Sequence, residues 1–146
     1  MILGCCEWDE KSDIWSIACI LVELYTGELF FPTHDSEEHL ALIEKIGGPI
    51  PLWMAETCRK EFSKIFHEKP DAEIEKIGHR VSFHKVKKRE DVVDALKSLE
   101  TLEDLIVEDH VHFKQFIASL LVIDPTLRPS CKQSLEHEFF KQNYTN

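Results

Sequence analysis

Glycine is scarce in this 146-residue chain: the five are Gly4, Gly27, Gly47, Gly48 and Gly78. No G-x-G-x-x-G stretch can be drawn from them, which excludes a glycine-rich loop closing over nucleotide phosphates. Basic residues are also few, 17 Lys and Arg against 27 Asp and Glu, for a net charge of −10. That balance argues against a nucleic-acid-binding surface covering the chain. The longest apolar stretch, Ile14 to Tyr25, is interrupted by Ser16 and Glu23 and is too short to span a bilayer. The first residues hold no basic segment of the signal-peptide kind. Five cysteines, at 5, 6, 19, 58 and 131, form an odd set without framework spacing, so reduced thiols in an intracellular compartment are expected. No H-E-x-x-H occurs, and His110-x-His112 does not have the i, i+3 or i+4 spacing of helical metal ligands.

What the chain does have is a globular composition, 43% hydrophobic and 30% charged, and a segregated charge. Residues 1–58 carry 2 basic and 11 acidic side chains, 59–89 carry 10 and 5, and 90–146 carry 5 and 11. A basic island therefore sits between two acidic flanks. Its densest part, Lys85-Val-Lys-Lys-Arg89, reads as a solvated loop face ahead of an acidic-partner or nuclear-import patch.

The pattern is predominantly helical. Ser12 or Asp13 is expected to cap a helix that runs to Thr26 and stops at Gly27. Its residues are apolar on almost every face, and a helix of that kind needs protein on all sides. Taken alone, the chain is expected to leave an apolar patch on it exposed. A second helix is expected from about Asp35, with Asp35 and Glu38 as a capping box, up to Gly47-Gly48-Pro49. Pro51 opens a third segment with Trp53, Cys58, Phe62 and Phe66 at helical intervals. Residues 80–86 alternate enough for a short extended element, and Leu96, Leu99, Leu102 and Leu105 suit short helical turns. A further helix is expected over about 109–123. The last one is capped by Ser130 and Gln133 and carries Leu135, Phe139 and Phe140.

Three of these stretches together resemble the protein-kinase domain. Asp13-Ile-Trp-Ser-Ile-Ala follows D-x-W-S-x-G, with Ala18 where Gly is usual. Asp124-Pro-Thr-Leu-Arg-Pro-Ser130 is similar to D-P-x-x-R-x-[ST], and Leu135-Glu-His-Glu-Phe-Phe140 to L-x-H-x-F-F. A fourth, Glu38-His-Leu-Ala-Leu-Ile-Glu-Lys-Ile-Gly-Gly-Pro49, resembles the E-H-L-A-M-M-E-R-I-L-G-P signature of LAMMER-type (Cdc-like) dual-specificity kinases. The resemblance implies a mainly α fold, the C-terminal half of the kinase large lobe, as one partial domain over 1–146. It places a group-specific insert at about 64–108 that holds the small extended element.

It further implies structural roles for Asp13, Trp15 and Arg128. Asp13 would brace the catalytic loop or simply cap its helix, and Trp15 would belong to the core. Arg128 would pair with the A-P-E glutamate; with that glutamate outside this sequence it is expected to be orphaned, turned to water, or paired with a substitute carboxylate. Glu37, Glu38 and Glu44 are candidates for docking basic substrates. No H-R-D, D-F-G or A-P-E is present, and His79-Arg80 is followed by Val81. No catalytic, cofactor-binding or metal residue is therefore assigned, and the chain is expected to start just past the activation segment and to be inactive by itself. ATP and magnesium are implied for a complete parent only. The expected partners are the missing N-terminal kinase portion or Arg/Ser-rich proteins, in the nucleus or cytoplasm, without membrane or direct nucleic-acid contact. The alternatives are a non-catalytic binding module or decoy, and a truncated gene remnant.

Overall fold

The computed structural model describes residues 2–33, 35–58, 60 and 100–142, with the Glu37 side chain left aside. The chain divides into two compact units, one of Met1–Glu7 and Phe31–Leu99, the other of Trp8–Phe30 and Glu100–Asn146. The short extended element expected at 80–86 and most of the 64–108 insert lie outside the described residues. Among those described there is no strand.

In the second unit, α1 spans Glu10–Thr26, three residues longer at its start than the sequence suggested. Asp9, in extended backbone, accepts the Lys11 N–H on its carboxylate at 3.0 Å, and its carbonyl takes the Ser12 N–H at 3.1 Å. That earlier cap absorbs Ser12 and Asp13 into the first turn, where an acidic side chain suits the helix dipole. Gly27 ends the helix at φ 80°, its N–H reaching Glu23 O at 2.8 Å, a left-handed terminus that a side chain would strain. Ile14, Ala18 and Val22 form the buried face, and α1 packs on α5 (Val111–Leu120) and α6 (Cys131–Leu135). Ile17, Ile20 and Leu24, at 44, 53 and 76% exposure, leave another face of the same helix open.

Thr101 and Asp104 box the start of α4 (Leu102–Leu105), which packs on α5. A 3-10 turn, Glu108–His110, leads into α5. This helix ends at Leu120 and does not run to 123; beyond it the Val122 and Ile123 carbonyls accept from the Arg128 side chain. Ser130 and Gln133 form the expected reciprocal box on α6: Gln133 N donates to Ser130 Oγ, and Ser130 N donates to Gln133 Oε1 at 2.8 Å. The final helix is broken in two. His137 Nδ1 accepts the Phe139 N–H at 3.1 Å and starts a separate 3-10 turn, Glu138–Lys141. Phe139 stacks on Phe116 of α5 with ring centres 5.3 Å apart, and Phe140 meets the same ring edge-on at 5.0 Å.

In the first unit, α2 spans Ser36–Gly47 and α3 spans Leu52–Thr57, entered through Pro51. The Glu38 N–H donates to Asp35 Oδ1 at 3.0 Å, the expected half of the cap. The Glu38 carboxylate accepts the Thr33 hydroxyl at 2.6 Å, and Asp35 N donates to Thr33 Oγ1, so the box extends to Thr33. Gly48, at φ 87°, turns the chain between the two helices.

Candidate functional site

The best-defined constellation of polar groups centres on Arg128. Asp124 first builds the turn that carries it: its carboxylate accepts the Thr126 N–H and hydroxyl at 2.8 and 2.7 Å, and its carbonyl accepts the Leu127 and Arg128 N–H groups. Arg128 is 7% exposed. Its Nε donates to Val122 O at 2.8 Å, Nη2 to Ile123 O at 3.0 Å and Nη1 to Lys11 O at 2.6 Å. The guanidinium also lies over the Trp15 ring, 5.0 Å from its centre, a cation–π contact in half-buried surroundings. One planar five-donor fork thereby ties the turn after α5 to the first turn of α1. Of the outcomes expected for Arg128, the guanidinium is neither without partners nor turned to water: main-chain carbonyls accept from it.

Of the predicted residues, Trp15 and Arg128 are thus brought together. Asp13 stands exposed in the first turn of α1 and is not its cap. Glu38 lies half-buried against Thr33, and Glu37 is placed in α2. Glu44 needs correction as a docking residue. It is 0% exposed, and its carboxylate accepts the Ile50 N–H at 3.1 Å across the Gly48 turn. A carboxylate enclosed in this way fixes the α2–α3 connection and presents nothing to a basic peptide.

Two of the half-buried thiols are poorly poised as nucleophiles. Burial pushes Cys19 up to about 11, with Glu23 adding to it, and burial followed by the neighbouring Cys6 does the same for Cys5. Burial pulls the pKa of His39, beside the Phe31 ring, downward. Among the described residues no group of three or more His, Cys, Asp or Glu is placed to hold a metal ion, and no helix is long and apolar enough to cross a membrane. The sequence reading missed the contact between Tyr25 and His110, where the phenol oxygen and Nδ1 are 2.8 Å apart. The available signal was a tyrosine in the last turn of an otherwise apolar helix, whose hydroxyl needs a partner.

Comparison with known proteins identifies the family. The protein kinase domain family matches residues 1–140. The chain is 35% identical over 148 residues to the serine/threonine-protein kinase AFC3 of Arabidopsis thaliana, covering 98% of this chain and 34% of that protein. It is 37% identical over 133 residues to the dual specificity protein kinase CLK4 of Homo sapiens, covering 91% of this chain and 25% of that protein. A crystal structure of the PF14_0431 kinase domain superposes with a TM-score of 0.77 at 37% identity, over 94% of this chain and 38% of that one. The chain thus spans about a quarter to a third of the curated relatives it matches. By these matches, it belongs to the protein kinase domain family, with LAMMER-type kinases among its relatives.

Proposed function

We propose that residues 1–146 are the C-terminal, helical large-lobe portion of a LAMMER-type dual-specificity kinase, acting as scaffold and not as catalyst. The observation that carries this reading is the Arg128–Lys11 hydrogen bond, which links two motif-bearing segments 117 residues apart. It joins the D-x-W-S helix to the D-P-x-x-R turn, where Arg128 also lies over Trp15. The sequence offers no residue set that fits ATP or magnesium: no glycine-rich loop, no H-R-D and no D-F-G. No step of phosphoryl transfer is assigned to these residues. In a polypeptide that joins this portion to those motifs, the reaction would be transfer of the ATP γ-phosphate to Ser, Thr or Tyr hydroxyls. Arg/Ser-rich proteins are the proposed substrates, met in the nucleus or cytoplasm, with Glu37 and Glu38 as the remaining acidic docking candidates. Five free thiols support an intracellular setting. The open Ile17, Ile20 and Leu24 face favours a second reading, a non-catalytic module that binds a kinase portion through α1.

Fragment complementation tests the proposal. The chain is assayed with radiolabelled ATP and an Arg/Ser-rich peptide, alone and mixed with the part of human CLK4 that precedes the matched region. It is expected to be silent alone and to restore transfer on mixing. Transfer by the chain alone would overturn the scaffold reading. Silence on mixing, where the matched CLK4 segment does restore activity, would overturn the large-lobe reading.

A further inference from the structure

Cys5 and Cys6 stand side by side in the segment that precedes α1, and the scaffold reading gives neither thiol a role. Leu3, 4% exposed, anchors the chain just before them, and Gly4 turns it at φ 61°. Both thiols are free; Cys6 is exposed and Cys5 half-buried. Burial first, and then the charge and hydrogen bond of the Cys6 thiol, hold the proton on Cys5, so the two side chains interact directly. Two physical constraints decide what such a pair can take. Neighbouring Cα atoms joined by a trans peptide are about 3.8 Å apart, short of the about 4.4 Å at which disulfides ordinarily begin. Closing the sulfurs on each other is therefore strained, whereas an atom bonded to both lets them stand apart. The second constraint is ligand number. A structural zinc ion takes four ligands, and among the described residues no third His, Cys, Asp or Glu is placed with the pair to hold a metal ion. A soft centre that needs two thiolates is the match.

We propose that Cys5 and Cys6 form a dithiol site that captures a monosubstituted trivalent arsenical, R–As=O, as a chelate bonded to both sulfurs. The exposed Cys6 sulfur bonds to arsenic first, and Cys5 then closes the ring. Two S–As bonds form and the As=O bond breaks. Both thiol protons leave with that oxygen as one water molecule, and nothing is oxidised or reduced. Because the second bond forms within one molecule, the chelate outlasts an adduct held by a single sulfur. The inference uses neither the kinase reading nor the Arg128 cluster.

The test treats the whole chain, reduced with a phosphine and kept under native conditions, with phenylarsine oxide and reads it by mass spectrometry. One phenylarsenic group should be gained with loss of two hydrogens, and fragmentation should place it on Cys5 and Cys6. The adduct should survive an excess of 2-mercaptoethanol and be stripped by 2,3-dimercaptopropanol, which offers arsenic two sulfurs of its own. Cys5→Ser and Cys6→Ser should each weaken retention against 2-mercaptoethanol by roughly 100-fold or more, the loss of the intramolecular second bond. In the unaltered chain, arsenic found on Cys19, Cys58 or Cys131 in place of the pair would overturn the site without reliance on any variant. An adduct on the pair that 2-mercaptoethanol removes as readily as it does from either serine variant would overturn the chelate.

Discussion

Replacing Arg128 by Met removes a buried guanidinium that donates to three main-chain carbonyls, and the structure sets the size of the loss. The bond to Ile123 O is buried, and those to Val122 O and Lys11 O are half-buried. A charge-assisted bond contributes about 1.5–3 kcal/mol when buried, and less with water nearby. The contact with Trp15 adds roughly 0.5–1 kcal/mol. Against these stands the desolvation cost that the methionine avoids, so the net loss is expected at about 2–4 kcal/mol. That is a large share of the about 5–15 kcal/mol that holds an ordinary domain together. Arg128→Lys separates charge from geometry, because a compact ammonium keeps the charge but cannot span three carbonyls. It should lose about 1–3 kcal/mol. Urea unfolding followed by far-ultraviolet circular dichroism reads both as shifts in midpoint at constant slope. A loss below about 1 kcal/mol for Arg128→Met would refute the bridging role. So would a lysine variant as stable as the parent.

Three further outcomes follow from particular contacts. Ser130→Ala removes one arm of the reciprocal box on α6 and should cost about 1 kcal/mol in the same urea titration, with Ser130→Gly costing less. Glu44→Ala should cost about 2 kcal/mol by leaving the buried Ile50 N–H unpaired, yet leave capture of an Arg/Ser-rich peptide unchanged; weakened capture at full stability would refute the structural assignment. The raised Cys19 pKa sets a pH dependence. Unfolded chains release that thiol proton near 9 and the folded chain near 11, so its stabilisation is complete below pH 9 and is lost between pH 9 and 11. Cys19→Ala should flatten that decline in stability measured against pH.

Local chemistry was legible wherever one side chain decides it. The Ser130–Gln133 box, the Gly27 stop and the Asp35 cap all depend on residues within three or four positions, and each stands where the pattern put it. Element ends were misread where a more distant group intervened. Arg128 reaches back to hold the Val122 and Ile123 carbonyls in the turn where α5 was expected to continue, and the His137 ring starts a new turn where one helix was expected. Glu44 shows the same limit. Its position on α2 reads as surface by charge, but the turn at Gly48 brings the Ile50 N–H back to it, a closure that no periodicity encodes. Trp15 and Arg128 were named separately for their motifs. Their contact depends on α1 packing near the turn after α5, which is tertiary information.

The open face of α1 bears on why the scaffold and binding-module readings share one physical basis. Ile14, Ala18 and Val22 already bury one side of the helix, and an ordinary surface helix would then hold polar residues at 17, 20 and 24. Those positions hold Ile, Ile and Leu, spaced three and four apart so that they form one stripe, and all three are exposed. Burying a Leu or Ile side chain fully contributes about 1.5–3 kcal/mol, so covering what remains exposed of these three would add roughly 2.5–5 kcal/mol, comparable to the stability of a marginal domain. A selected sequence keeps such a stripe when something covers it. In the scaffold reading the cover is the rest of a kinase lobe on the same polypeptide, and in the module reading it is a lobe on another. Complementation with the CLK4 portion therefore probes the stripe directly: Ile20→Glu should abolish recovery of activity while leaving the Arg128 cluster and the fold of the chain intact. Recovery undiminished by that charge would mean the stripe is not the docking face.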